Sequence, residues 1–207
     1  MNNKINPSDE AKIRLEKLKM LQNEDISPYP KHCERTHEIS EIIEDFKKLE
    51  KGNKKLTLVG RLRMERSHGN LTFAHIEDES GKIQIALSKK EIGDTEYKQF
   101  TKLIDVGDFV EISGTCFVTH KGENSIMVNK WKLLTKSLLP LPEKWHGLSD
   151  TETRFRKRYL DLLSNPKVKE IFYTRSKVIQ FIRNYFLDEG FLEVDTPILQ
   201  TVASGAI

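Results

Sequence analysis

Near the start of the chain, apolar residues recur at helical spacing. Ala11, Leu15, Leu18 and Leu21 lie three or four positions apart among Lys, Arg and Glu, which predicts an amphipathic helix from Ser8 to about Asn23, with Ser8 as its N-cap. Ser27-Pro28-Tyr29-Pro30 stops it, because prolines remove backbone donors and bias the residues before them to extended conformations. A second short helix is predicted from Ile39 to Leu49. At Leu56 the period changes to two. Leu56–Glu65, Leu71–Ile76, Ile83–Ser88, Phe109–Phe117 and Ser125–Leu134 read as strands, separated by turn signals such as His68-Gly69-Asn70, Ser80-Gly81 and Lys121-Gly122. Between the third and fourth, Tyr97, Phe100 and Ile104 mark one face of a helix expected over 89–104.

Leu139-Pro140-Leu141-Pro142 is a stiff connector of the kind that separates domains. Beyond it, Ser149-x-x-Glu152 fits a capping box for a helix running through Tyr159 and Leu163. Asn165-Pro166 then supplies N-cap and N1 of a long helix whose broad apolar stripe includes Val168, Ile171, Phe172, Val178, Ile182 and Phe186, with Gly190 at C′. Phe191–Asp195 reads as a strand ended by Thr196-Pro197. The fold class is therefore α+β, mostly β. Three strands, a helix and two strands is the order of an OB-fold, a five-stranded Greek-key barrel that binds oligonucleotides.

Strand parity gives the barrel a candidate binding face. With Ala74 and Ile76 inward, Phe73 and His75 face outward; with Ile83, Ile85 and Leu87 inward, so does Gln84. On the first strand, Leu58, Leu62 and Met64 take the core side, leaving Arg61 and Arg63 outward and Arg66 at the strand's end. An exposed ring offers a stacking surface to an unpaired base, an amide reads a base edge, and arginines meet phosphate. The same pattern also fits a Phe73 that covers a neighbouring loop and arginines that are merely solvated.

Composition narrows the class further. In 207 residues, 34 cations stand against 31 anions, a mixed surface on which any nucleic-acid contact must come from a local face. No apolar run approaches the roughly 20 residues of a membrane span, and the first residues lack the apolar core of a secretory signal, so a cytoplasmic location is expected. Cys33 and Cys116 are far apart and give neither a disulfide framework nor a zinc spacing; no metal site is expected.

After the long helix, the run Gly190-Phe191-Leu192-Glu193-Val194-Asp195-Thr196-Pro197 resembles motif 1 of class II aminoacyl-tRNA synthetases, a helix and strand that form their dimer interface. The stretch LLTKSLLPLPEKWHGLSDTETRFRKRYLDLL and the early Ser27-Pro28-Tyr29-Pro30 are similar to the lysine-specific branch, so that the resemblance to class II lysyl-tRNA synthetases extends from about residue 10 to the end. It implies a helical extension over 1–55, an anticodon-binding OB-fold over 56–138, a linker over 139–153 and the start of an antiparallel catalytic domain over 154–207.

The resemblance also implies roles. The family reads a central uridine with a stacking Phe, a Gln on the next strand and a Glu in the last hairpin, which by motif fall on Phe73, Gln84 and Glu123. Arg66 takes the place of a basic residue near the anticodon, and His68-Gly69-Asn70 departs from the family where a second basic residue is usual. Phe191, Glu193, Thr196 and Pro197 would belong to the interface of a homodimer. The implied partner is the transfer RNA for lysine, and the implied reaction is activation of lysine by ATP with Mg²⁺ followed by aminoacyl transfer. The arginines of motifs 2 and 3 are not found in these residues, nor is a phosphate loop, so the stretch is expected to be an excerpt that recognises tRNA without aminoacylating it. The alternatives are a freestanding OB-fold that binds single strands, and an aspartate- or asparagine-specific enzyme of the same group.

Overall fold

The computed structural model describes residues 7–141, 148 and 150–199. Thirteen-residue β1 (Leu56–His68), β2 (Leu71–Glu77), β3 (Lys82–Ser88), β4 (Phe109–Val118) and β5 (Asn124–Thr135) close a barrel in the order β1-β2-β3-β5-β4. All neighbours are antiparallel except β3 and β5. This is the expected OB-fold. β1 is long because it serves two partners: Leu56–Arg61 pair with β4, and Arg61–His68 pair with β2.

Where β1 has changed partner, the register slips between Leu62 and Met64. Such a bulge coils a strand and lets the barrel close, and it also reverses the parity of everything after it. Met64 is set opposite His75 and Arg66 opposite Phe73, on the outer face, while Glu65 is set opposite the buried Ala74. The sequence expectation that Met64 takes the core side is overturned. Burial accordingly pushes the Glu65 carboxyl above the usual carboxylate range, with a Ser67 hydrogen bond opposing it.

The helices before the barrel share its core. Leu21 of α1 (Pro7–Asn23), Ile39 and Ile42 of α2 (Ile39–Glu44), and Phe46 and Leu49 of α3 (Phe46–Gly52) belong to one buried cluster with Leu58, Ile85 and Val128. α1 begins at Pro7, so Ser8 lies within its first turn and is not its cap. Its packed face also differs from the apolar stripe: Leu15 is exposed, whereas Arg14 is buried, donating to the carbonyls of Val106 (3.1 Å) and Ser137 (3.2 Å) and pairing with Glu10. The helix expected over 39–49 breaks at Asp45, and that over 89–104 becomes α4 (Lys89–Ile92) and α5 (Asp94–Leu103), divided at Gly93 with φ +88°. Tyr97, Phe100 and Leu103 of α5 plug the barrel, Phe100 meeting Trp131 edge to face at 5.4 Å.

The chain divides after Leu141 into two compact units. In the second, α6 (Thr151–Arg156), α7 (Arg158–Ser164) and α8 (Pro166–Asp188) follow one another. Ser149 of the expected capping box lies outside the described residues; Asp150 caps α6, accepting from the Thr153 N–H at 2.7 Å. The helix expected through Leu163 divides at Lys157. Asp161, fully buried, holds the three helices together by accepting from Arg154, Arg158 and Asn165. Asn165 thus spends its amide on Asp161 and makes no side-chain cap for α8, while Pro166 occupies N1 as expected.

α8 ends as predicted, with Gly190 at φ +85°: Gly190 N–H donates to Leu187, Phe191 N–H donates to Phe186, and the two phenyl rings stack edge to face at 5.5 Å. Phe191–Asp195 forms no strand, since no ladder partner pairs with it among the described residues.

Candidate nucleic-acid interface

The outer side chains of the barrel form two cross-strand rows. One runs Arg66, Phe73, Ala86, Met127, Thr115; the other runs Met64, His75, Gln84, Ser125, Phe117. They bound an open groove of about 750 Å³, rimmed by His68 and Leu71 at one end and by Thr119, His120, Lys121 and Glu123 at the other. That volume is on the scale of a ligand-binding cleft. Phe73 is half-buried and lies beside the small side chain of Ala86, which leaves one face of the groove clear next to the ring.

Glu123 reaches this groove from the β4–β5 hairpin. Thr119 N–H donates to the Glu123 carbonyl (3.0 Å), the Glu123 N–H donates to Thr119 Oγ1 (3.0 Å), and Gly122, at φ +80°, turns the chain between them. Glu123 Oε1 lies 3.2 Å from His75 Nε2. The Gln84 amide bridges the next gap: one end is 2.8 Å from Ser125 Oγ, the other 2.8 Å from Glu123 Oε2 and 3.3 Å from Oε1. The end facing a carboxylate must be the NH2, so the Gln84 oxygen accepts from the Ser125 hydroxyl. A ring, an amide donor and a carboxylate acceptor therefore converge from two strands and a hairpin.

Of the residues expected on this face, Phe73, His75, Gln84, Glu123 and Arg66 line the groove. Arg61 and Arg63 do not. Arg61 lies over the Phe109 ring at 4.3 Å and donates to the Gly107 carbonyl at 3.1 Å, while Arg63 Nε pairs with Glu77 at 3.0 Å. Burial and then the neighbouring Arg63 charge lower the Arg61 pKa from its usual value. Both arginines are engaged with the barrel itself; for Arg63, which follows Leu62, this is a consequence of the bulge. Met64, Ala86, Ser125, Met127 and Phe117 line or support the groove without having been singled out. The alternation of Cys116, Ile126 and Val128 inward was the signal for the last three.

In the second unit, α8 buries none of its residues, and Ile171, Phe181, Ile182 and Tyr185 are exposed along it. Phe191, Glu193, Thr196 and Pro197 are all exposed, Glu193 pairing with Arg183 at 3.0 Å. No group of three or more His, Cys, Asp or Glu is placed to hold a metal ion among the described residues.

Comparison with known proteins separates the same two parts. An OB-fold nucleic acid binding domain matches residues 56–134, and the domain of class II tRNA synthetases (D, K and N) matches residues 150–207. The chain is 47% identical over 196 residues to a lysine--tRNA ligase of Carboxydothermus hydrogenoformans, covering 95% of this chain and 40% of that protein. It is 45% identical over 195 residues to one of Pelotomaculum thermopropionicum (94% and 38%), and 45% identical over 206 residues to one of Thermoanaerobacter pseudethanolicus (99% and 41%). The chain thus spans about 40% of the length of these relatives. An OB-fold followed by the opening of a class II domain, with nearly half of all aligned residues identical, makes almost the whole chain similar to about two fifths of a lysine--tRNA ligase.

Proposed function

We propose that this chain reads the anticodon of the transfer RNA for lysine, as the recognition part of a lysine–tRNA ligase. The observation that carries this reading is the convergence of Phe73, Gln84 and Glu123 on one groove with Arg66 at its side. An unpaired anticodon base stacks on Phe73, whose ring contributes roughly 1–3 kcal/mol to such a contact. The free N–H of Gln84 and the Glu123 carboxylate form an adjacent donor and acceptor, the complement of the O4 and N3–H edge of uracil. Arg66, His68 and Lys121 are near enough to the groove's rim to meet the flanking phosphates.

The ligase reaction of the whole protein, activation of lysine with ATP and Mg²⁺ and transfer to tRNA, is proposed from the relatives. No described residue is assigned to ATP or metal. The exposed apolar stripe of α8 and the segment from Phe191 to Pro197 support a homodimer interface. No helix among the described residues is long and apolar enough to cross a membrane; the cytoplasm is proposed on the role in translation alone.

A fluorescent anticodon stem-loop of the lysine tRNA, titrated with the 207-residue chain, tests the reading. Phe73→Ala should weaken binding by roughly 1–3 kcal/mol. Equal affinity of the two proteins would sink it, and stem-loops of the aspartate and asparagine tRNAs, binding more weakly, distinguish lysine from its neighbours in the same group.

A further inference from the structure

We propose that Ser125 is a positioning residue that fixes which end of the Gln84 amide faces the groove and so sets the pyrimidine the site accepts. The proposal rests on the anticodon reading above. Ser125 is fully buried and stands beside Gln84 on the parallel strand pair that closes the barrel, so neither residue can drift relative to the other without opening the β3–β5 ladder.

An isolated amide is nearly symmetric in shape, and only its partners tell its two ends apart. Here there are two. Ser125 Oγ, at 2.8 Å, donates to the Gln84 oxygen, and the Glu123 carboxylate, at 2.8 Å, accepts from the Gln84 NH2. His75 adds a third restraint from the other side: with Nε2 protonated it donates to Glu123 Oε1 at 3.2 Å and steadies the carboxylate. The amide's second N–H is left for the groove, next to remaining lone pairs of Glu123.

That donor and acceptor match uracil, which presents O4 beside N3–H. Cytosine presents the inverse, N4–H2 beside a bare N3. A reversed Gln84 would suit cytosine's amino group, so the amide's orientation is the discriminating variable. The Ser125 hydrogen has a second acceptor in reach, the Glu123 carbonyl at 3.1 Å. The reversed amide could then donate its NH2 to Ser125 Oγ, but only with its oxygen set against the Glu123 carboxylate, two acceptors facing each other. Donating to the Gln84 oxygen, the hydroxyl holds the amide in the first arrangement together with Glu123. Without it, Gln84 is held at one end only.

The experiment measures binding of two stem-loops, with uridine or cytidine at the middle anticodon position, to wild type, Ser125→Ala, Gln84→Ala and the double variant. Wild type should prefer uridine. Ser125→Ala should lower the uridine-to-cytidine ratio about fivefold, the factor that one neutral hydrogen bond controls, and in the Gln84→Ala background it should change the ratio no further. An unchanged ratio in Ser125→Ala overturns the proposal while leaving the anticodon reading intact. So does a ratio that falls equally with and without Gln84, which would make Ser125 a structural residue. A wild-type chain indifferent to the middle base removes the reading of the groove itself, and the proposal with it.

Discussion

Replacing Lys136 with Met tests what ties the N-terminal segment to the barrel. Lys136 Nζ is fully buried and donates to the Leu103 carbonyl (2.8 Å), Asp105 Oδ2 (2.6 Å) and Asp108 Oδ2 (2.7 Å). The same cluster takes in Lys17 of α1, 2.5 Å from Asp105, and the main chain of Lys136 bonds Pro28 and the Tyr29 hydroxyl. Methionine fills similar space, so the loss is electrostatic rather than a cavity. Removing one partner of a buried pair costs about 3–5 kcal/mol. Asp108 keeps the N–H groups of Asp105 and Ser137, and Asp105 keeps Lys17, which puts the expected loss near the lower end, about 3 kcal/mol. At a urea slope of about 2 kcal/mol/M, the midpoint should fall by roughly 1.5 M. Trp131, packed in this unit, reports the transition once Trp145→Phe removes the other indole.

The pH dependence has a definite sign. Burial already pushes the Asp108 carboxyl up despite Lys136 beside it, and a raised carboxyl gives stability that is present at low pH and lost as pH rises through its folded value. Without Lys136 this rise is larger, so the defect should shrink on going from neutral to mildly acid pH. Adding Asp108→Asn should recover part of the loss at neutral pH. A Lys136→Met loss under about 1 kcal/mol, or an Asp108→Asn that deepens it by the full single-variant amount, would refute the assignment of an uncompensated buried charge.

Two further changes probe the frame that carries the groove. Gly114→Ala puts a Cβ 2.2 Å from the Met127 carbonyl oxygen and 2.7 Å from Ile126 Cγ2, so a strand has to move; overpacking of this kind costs about 1–3 kcal/mol, and the shift of Met127 should weaken stem-loop binding as well. An unchanged urea midpoint would count against that crowding. Asp78 accepts from the Ile39, Ser80 and Gly81 N–H groups and Ser80 Oγ, anchoring α2 to the β2–β3 turn; burial alone would raise its carboxyl, but these bonds hold it low. Asp78→Ala should cost about 1 kcal/mol at neutral pH. Because a lowered carboxyl stabilises above its unfolded value and stops doing so as pH falls through the folded one, the difference from wild type should narrow below about pH 4; a constant difference down to pH 3 would contradict it.

How much of this was legible in the sequence depends on where each constraint originates. The five strands are local facts: alternation names them, and each observed end lies within three residues of the expected one. Phe73, His75 and Gln84 share a face because β2 and β3 pair without a slip, so parity read from Ala74, Ile76 and Ile85 carries straight through. β1 is different. Nothing at Arg63 marks a bulge, neither glycine nor a turn residue; the slip arises because one strand must serve β4 and then β2 while the barrel closes. A tertiary demand thus moved Met64 onto the outer face that parity had given to Arg61 and Arg63, where Arg66 was expected and lies. The strand expected over 191–195 fails for a related reason, since extended backbone becomes a strand only when another strand accepts its bonds. Ser125 shows the remaining case. Its alternation could be read, but its importance lies in what a neighbouring strand sets beside it, and a parallel pairing between the third and fifth strands is invisible until the barrel is closed. The residues proposed to meet a base are therefore the legible ones, and the one proposed to set how they point is supplied by closure.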